Sequence, residues 1–218
     1  ITVISGLQYI TCDDQAYNNV AVFTAVKSGK YRNAIMLVRE KNDYAPMEKE
    51  LLAIKKYCCK DQEKPNYQII SSEGIDYGIF LCYEFTDIVA RSLYKNQVDI
   101  LFAPEHNKDT SYFSSIIETT TRDLHTFIVQ SNTSIYGDSR IVGPYGKNDR
   151  NVVQIKGGDC DDIIVGTIEL EKVREYQQNV KREARERIEE YLKLGKVERY
   201  KKEQEIFKQQ EIKIAKTS

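Results

Sequence analysis

The stretch GIFLCYEFTD, residues 78–87, ends an apolar run in a cysteine, Cys82, with Tyr83 and Glu84 directly after it. A thiol at the mouth of a strand either packs as a small hydrophobe, as free cysteines commonly do, or attacks something. A strand that turns sharply into a helix presents its turn residue outward, and the positive N-terminal end of the helix favours a thiolate or an oxyanion. The strand alone leaves both readings open. Two further stretches carry groups fit for handling protons and charge. REKNDYAPMEKELL, residues 39–52, sets Lys41 after an apolar strand, with Pro46 five residues on and Glu48 seven on. FAPEHN, residues 102–107, sets Glu105, His106 and Asn107 after another. Taken singly, Lys41 reads as a solvated strand-end lysine. The two histidines, His106 and His125, have no ligand-like spacing, so no metal site is implied.

These residues need strands to carry them. TVISG, NNVAVFTAV, NAIMLV, YQII, YGIFLC, VDILFAP, TFIVQSN, NVVQI and DIIVGTIEL have the length and the Val, Ile, Phe and Tyr content of strands. MEKELLAIKKY, TDIVARSLYKN and SYFSSIIETTTRDL space their apolar residues by three and four, which predicts helices. Asp109, Thr110 and Ser111 offer caps for the last of these. GKNDRN and KGGDCDD read as turns. Strands apolar on both faces, alternating with helices, predict an α/β fold whose sheet is covered by helices. From about Leu170 the pattern becomes one long helix, with an apolar stripe of Val173, Tyr176, Val180, Ala184, Ile188, Tyr191 and Leu192 and an interruption expected at Gly195. Two parts follow, a domain over residues 1–172 and a charged amphipathic tail over 173–218.

Composition narrows the classes. The chain has 218 residues, 41% hydrophobic and 30% charged, as soluble globular proteins do. No apolar run is long enough to span a membrane, and no signal-peptide pattern opens the chain. The five cysteines, Cys12, Cys58, Cys59, Cys82 and Cys160, are odd in number and form no C-x-x-C pair, which argues against a disulfide framework or zinc site and for a reducing, cytoplasmic setting. Residues 170–218 hold 14 basic and 10 acidic side chains, too interleaved for a nucleic-acid stripe. Ile1 already lies in a segment that reads as a core strand, which suggests residues ahead of it.

Together, the strand ending at Lys41 with Pro46 and Glu48 behind it, and the later strand ending in FLCYE, resemble the nitrilase or carbon–nitrogen hydrolase superfamily. ITVISGLQY and AYNNVAVFTAVKSGK are similar to the strands that precede the family's lysine. NQVDILFAPEHNKDTSYF is similar to the segment after its cysteine helix, and RDLHTFIVQSNTSIYGDSRIVGP to the "yvv.aN..g....S.i..p.G" stretch. The likeness covers roughly residues 1–172, in order. It implies an α-β-β-α sandwich, here with its N-terminal part missing. YFSSIIETTTRDLHTFIVQSNTSIYGDSRI with VQIKGGD resembles more specifically the nitrilase-like C-terminal domain attached to certain bacterial antiviral-defence reverse transcriptases.

The resemblance implies a Glu–Lys–Cys triad and no cofactor. Cys82 is the nucleophile toward an amide or nitrile carbon, and Lys41 supports the developing anion together with a backbone N–H. Glu48 matches a second family glutamate that supports the site, one residue closer to the lysine than in members with "K…PfGE". Tyr83 and Glu84 line the pocket or orient Cys82, and Glu105 and Asn107 are loop residues beside it. The family's general base stands in a "PE" motif well before the lysine, which maps ahead of Ile1. FAPEH imitates that motif after the cysteine, and Glu105 is therefore not read as the base. Two other classes stay in view. One is a catalytically silent nitrilase-fold module that assembles as a homo-oligomer through the long helix. The other is an acyltransferase of the branch that shares CYE, disfavoured because that branch carries membrane spans. The expected partners are a small-molecule amide or nitrile, further copies of the chain and an attached reverse-transcriptase domain; neither a membrane nor direct nucleic-acid binding is expected.

Overall fold

The computed structural model describes residues 1–193 apart from 8, 29, 60, 147–150 and 160, so Cys160 and the interruption expected at Gly195 lie outside the described residues. The chain divides into two compact units, residues 1–174 and 175–218.

The first unit is built on two sheets. Strands β1 (Thr2–Gly6), β4 (Asn19–Ser28) and β5 (Tyr31–Glu40) form an antiparallel sheet in the order β1-β4-β5, and β2 (Ile10–Cys12) pairs with β3 (Gln15–Tyr17) in a small ladder. A six-stranded sheet runs in the order β11-β10-β9-β8-β7-β6. Its strands are β6 (Ile70–Ser72), β7 (Ile75–Ile79), β8 (Ile100–Pro104), β9 (Phe127–Ser131), β10 (Arg140–Val142) and β11 (Asn151–Gln154). Its centre, β7-β8-β9, is parallel, because helices α2 (Ile88–Ser92) and α3 (Thr110–Leu124) return the chain between those strands. Helix α1 (Pro46–Ile54) follows β5, and α4 (Leu170–Lys193) begins where the composition changes.

Strand alternation sends side chains to two cores. On one face, Phe80, Leu101, Ala103 and Ile128 pack with Ala90 and Tyr94 of the α2 segment and Phe113, Ile117 and Leu124 of α3. On the other, Tyr77, Ile79, Ile100 and Phe127 meet Val20 and Val22 of β4, with Val173 of the first α4 turn. The order is helix, sheet, sheet: three layers of the α-β-β-α sandwich that the resemblance implies, with a second sheet instead of helices against the other face of the six-stranded sheet. Helix α3 starts at Asp109, whose carboxylate accepts the Tyr112 N–H at 3.2 Å, and stops at His125, which is left-handed at φ 59°.

Three expectations differ. DIIVGTIEL contains no strand; Ile163 and Val165 are exposed, and Gly166 lies so close to Ile141 and Val152 that a Cβ would sit 2.9 Å from each. The segment crosses the β10–β11 ladder, and Ile168 and Leu170 join the core between the sheets. YQII contributes only Ile70 to a strand, and TDIVARSLYKN forms just the five-residue α2. β10 and the β2–β3 ladder are too short to announce themselves in the sequence.

Candidate active site

The carboxyl ends of the parallel strands, where α/β sheets place their ligands, bring three loops together. β7 continues in register to Phe80, whose N–H donates to Phe102 O at 2.9 Å, and the backbone then turns at Cys82. Cys82 takes φ 49°, a left-handed conformation that costs a non-glycine residue roughly 1–3 kcal/mol and tends to mark functional turns. Residues Cys82–Thr86 form a 3₁₀ turn, and the Asp87 carboxylate accepts the Val89 and Ala90 N–H groups to open α2. So the turn is present, but the long helix expected to aim its dipole at the thiol is not. Charge support comes from side chains instead.

Glu84 holds the turn. It is fully buried, and its carboxylate accepts both Arg39 guanidinium nitrogens at 2.9 and 2.8 Å, the Leu81 N–H at 2.7 Å and the Asn42 N–H. Arg39 also donates to Ile79 O at 3.0 Å. Of the two roles open to Glu84, lining the pocket or orienting Cys82, this geometry supports the second. Tyr83 is half-buried beside it.

Lys41 follows β5 at once and is buried, which overturns the solvated reading. Its Nζ donates to Glu48 Oε2 at 2.6 Å, and Pro46 at the first position of α1 sets that glutamate in the first turn. Glu48 also accepts from Tyr9 Oη at 2.6 Å, Asn18 Nδ2 at 2.7 Å and the Ala45 N–H at 3.1 Å. Burial pushes its carboxyl up, but Lys41, Tyr9 and Asn18 more than reverse that and hold it below the ordinary value. Glu48 is thus an ionised anchor with no lone pair to spare.

The third loop follows β8. Asn132, at the end of β9, accepts the Asn107 N–H at 2.9 Å and donates to Asn107 O at 2.8 Å and Gly137 O at 2.9 Å, which fixes the strand-end loops to each other. Phe102 of β8 pairs with Ile79 of β7, so Glu105 and Cys82 leave the ends of neighbouring parallel strands. Gln130 Nε2 donates to Glu105 Oε2 at 2.9 Å, and Arg140 Nε donates to Gln130 Oε1 at 2.8 Å. Burial pushes the Glu105 carboxyl up to about 7, against the opposing pull of Gln130 and Arg140. Burial also raises the Cys82 thiol, with Lys41 and His106 pulling it back and Glu105 and Glu48 adding to the rise. At neutral pH Cys82 is a thiol that needs a proton acceptor before it can attack.

Cys82, Lys41, Glu48, Glu84 and Glu105 therefore share one region, and Asn107 contributes to its rim through backbone contacts. The sequence reading missed Tyr9, Asn18, Arg39, Gln130, Asn132 and Arg140, whose partners lie far along the chain. Among the described residues no cluster of His, Cys, Asp or Glu is arranged to hold a metal ion. A cavity of about 400 Å³ opens elsewhere, between β1 and the six-stranded sheet, lined by Ile4, Tyr77, Phe102 and Val129 and without Cys82, Lys41 or Glu105.

No protein-family model and no curated protein matches the sequence. Solved structures do. The chain is similar to a carbon–nitrogen hydrolase from Helicobacter pylori G27, with a TM-score of 0.62 at 13% identity over 82% of this chain and 65% of that one. A carbon–nitrogen hydrolase superfamily protein from Xanthomonas campestris, with an arsenic adduct in its active site, gives 0.59 at 12% over 82% and 66%. The amidase of Nesterenkonia AN1, from the nitrilase superfamily, gives 0.57 at 13% over 84% and 67%. The fold is that of the nitrilase, or carbon–nitrogen hydrolase, superfamily. The chain spans about two thirds of the length of these neighbours. No helix among the described residues is long and apolar enough to cross a membrane.

Proposed function

We propose that this chain carries the thiol and oxyanion-binding half of a carbon–nitrogen hydrolase that acts on small amides or nitriles. The observation that carries the reading is Cys82 just beyond β7, left-handed, in a turn that Glu84 ties to the Asn42 N–H next to the buried Lys41. The sulfur attacks the amide or nitrile carbon while the π pair moves onto oxygen or nitrogen. Lys41 then faces the charge that develops. Glu48 keeps Lys41 protonated and in place. Glu84 keeps the turn from relaxing. In related crystals an acetamide moiety from fluoroacetamide sits on the active-site cysteine of a Nesterenkonia amidase variant, and that compound is a suitable probe here.

The test is ammonia release by the 218-residue chain from acetamide, propionamide and propionitrile, with Cys82→Ala as control. Release that the variant abolishes supports the reading; release that survives in the variant contradicts it.

Assembly and an attached reverse-transcriptase domain extend the proposal. The first is supported by Val3, Phe23, Met36 and Val38, exposed apolar residues that the register sets on one face of the small sheet, and by the apolar stripe of α4. Light scattering should report an oligomer, smaller once residues 173–218 are deleted; a monomer in both cases contradicts it. The second rests on the wording of residues 112–141 and is contradicted if the sequence encoded upstream holds no polymerase carboxylate pair.

A further inference from the structure

Glu105 has a carboxylate oxygen that no described residue satisfies. Its Oε1 is buried with no hydrogen-bond partner, while Oε2 takes the Gln130 amide. The site's two other buried carboxylates, Glu48 and Glu84, are saturated with donors. An open acceptor inside a folded protein needs an explanation. Location suggests one. Ile79 of β7 pairs with Phe102 of β8, so Cys82 and Glu105, each three residues further on, leave the ends of adjacent parallel strands side by side.

The surroundings keep it there and limit what it can do. Arg140 can only donate, so its Nε–H at 2.8 Å holds the Gln130 oxygen and turns the Gln130 NH₂ toward Glu105. Arg140 itself is fully buried, fixed by Ser114 O at 3.1 Å and Glu118 at 3.6 Å. The amide cannot flip to offer Glu105 an acceptor. The charged groups that act on the thiol and carboxyl are Lys41 after β5, Glu48 on α1 and Arg140 on β10.

We propose that Glu105 is the proton carrier for Cys82, a base placed after the cysteine strand and within this chain. The inference rests on the reading of Cys82 as nucleophile. With an amide, the thiol proton goes to Glu105 Oε1 as the S–C bond forms and the carbonyl π pair moves to oxygen. That pair returns, the C–N bond breaks, and Glu105 gives its proton to the departing nitrogen, which leaves as ammonia or an amine. Water then attacks the thioester, its proton passes to Glu105, and the C–S bond breaks as the sulfur is reprotonated. The acid is released and the enzyme returns to its first state. A carboxyl near neutrality is well matched to both directions of transfer. FAPEH thus acquires the task that the resemblance assigns to a glutamate ahead of Ile1.

The experiment compares wild type, Glu105→Gln and Glu105→Asp in two assays, ammonia release from propionamide against pH and iodoacetamide labelling of Cys82 followed by peptide mapping. Wild-type kcat/KM should rise with pH through about 7, as Glu105 ionises. Glu105→Gln should lose that limb and roughly 10²–10⁴-fold in kcat. It should still label at Cys82, because iodoacetamide takes the thiolate that forms by proton exchange with solvent, and a repelling charge has gone. Glu105→Asp should recover part of kcat. Hydrolysis by Glu105→Gln within a few-fold of wild type overturns the proposal, and so does a rise in KM with kcat unchanged, which would make Glu105 a recognition residue. Labelling and hydrolysis lost together would mark a structural role and overturn it too. Labelling without hydrolysis in wild type overturns the proton-carrier role alone; neither activity in wild type overturns the nucleophile reading, and this inference with it.

Discussion

Two sides of Cys82 handle charge in opposite ways. On the side of β5 and α1, Lys41 and Glu48 are buried as a pair, and Glu48 accepts four donors that keep it ionised. On the side of β8, Glu105 accepts one hydrogen bond, from Gln130, and its other oxygen stays open. The first arrangement is over-determined and resists any change of protonation. The second is under-determined, and a proton moves onto and off it easily. A site of the kind proposed, which holds one charge still while it passes a proton, needs both kinds, and the difference lies in the number of donors supplied to each carboxylate.

The sharpest way to break this comparison is Lys41→Met. It strands Glu48 as a buried anion, and removing one partner of such a pair costs roughly 3–5 kcal/mol. Urea denaturation should show that loss, and amide turnover should vanish. The double variant Lys41→Met with Glu48→Leu should recover stability but not turnover. Equal stability of Lys41→Met and wild type would show that the pair does not hold this side together.

Glu84→Gln should come next, at about 2–3 kcal/mol, since the Arg39 guanidinium loses its counter-charge while some hydrogen bonds survive. Turnover should fall at every pH alike, because Glu84 acts through the position of the turn. A shifted pH profile would instead make Glu84 a proton carrier.

The smallest effect carries the clearest sign. Glu105 is raised in the fold, so the stability it lends is full below the ordinary carboxylate range and is lost as pH rises through about 7. Glu105→Gln should therefore match wild type near pH 4 and exceed it at pH 8, by about 1–3 kcal/mol in urea unfolding. Glu48 runs the other way. Its lowered carboxyl lends stability above the ordinary range and loses it as pH falls through the depressed value, so Glu48→Gln should cost most at neutral pH. Parallel pH dependences for the two variants would erase the distinction.

How far the sequence could be read follows the same divide between local and distant causes. Helix α3 was legible because three- and four-residue spacing and the Asp109 cap are local signals. The Cys82 turn was legible because strand, cysteine and turn are consecutive. DIIVGTIEL misled because Val and Ile content does not distinguish a paired strand from an extended segment laid across one. The partners that decide what each glutamate does were invisible. Tyr9 reaches Glu48 across 39 residues, Arg39 reaches Glu84 across 45 and Gln130 reaches Glu105 across 25. None of these spacings has a period that a linear reading detects. The buried Arg140 left no sign at all, since an arginine among apolar neighbours reads as an edge residue until its partners are known.

The proposed chemistry requires Cys82 to be an activated nucleophile, and fluoroacetamide tests that most directly. Its carbon–fluorine bond resists ordinary thiols, so the exposed Cys12 and Cys58 serve as internal controls in the same molecule. After incubation at neutral pH, intact mass and peptide mapping should find one acetamide-derived adduct, on Cys82, and none in Lys41→Met. No adduct on the wild-type chain, or an adduct on Cys12 or Cys58 with Cys82 unmodified, would contradict the account.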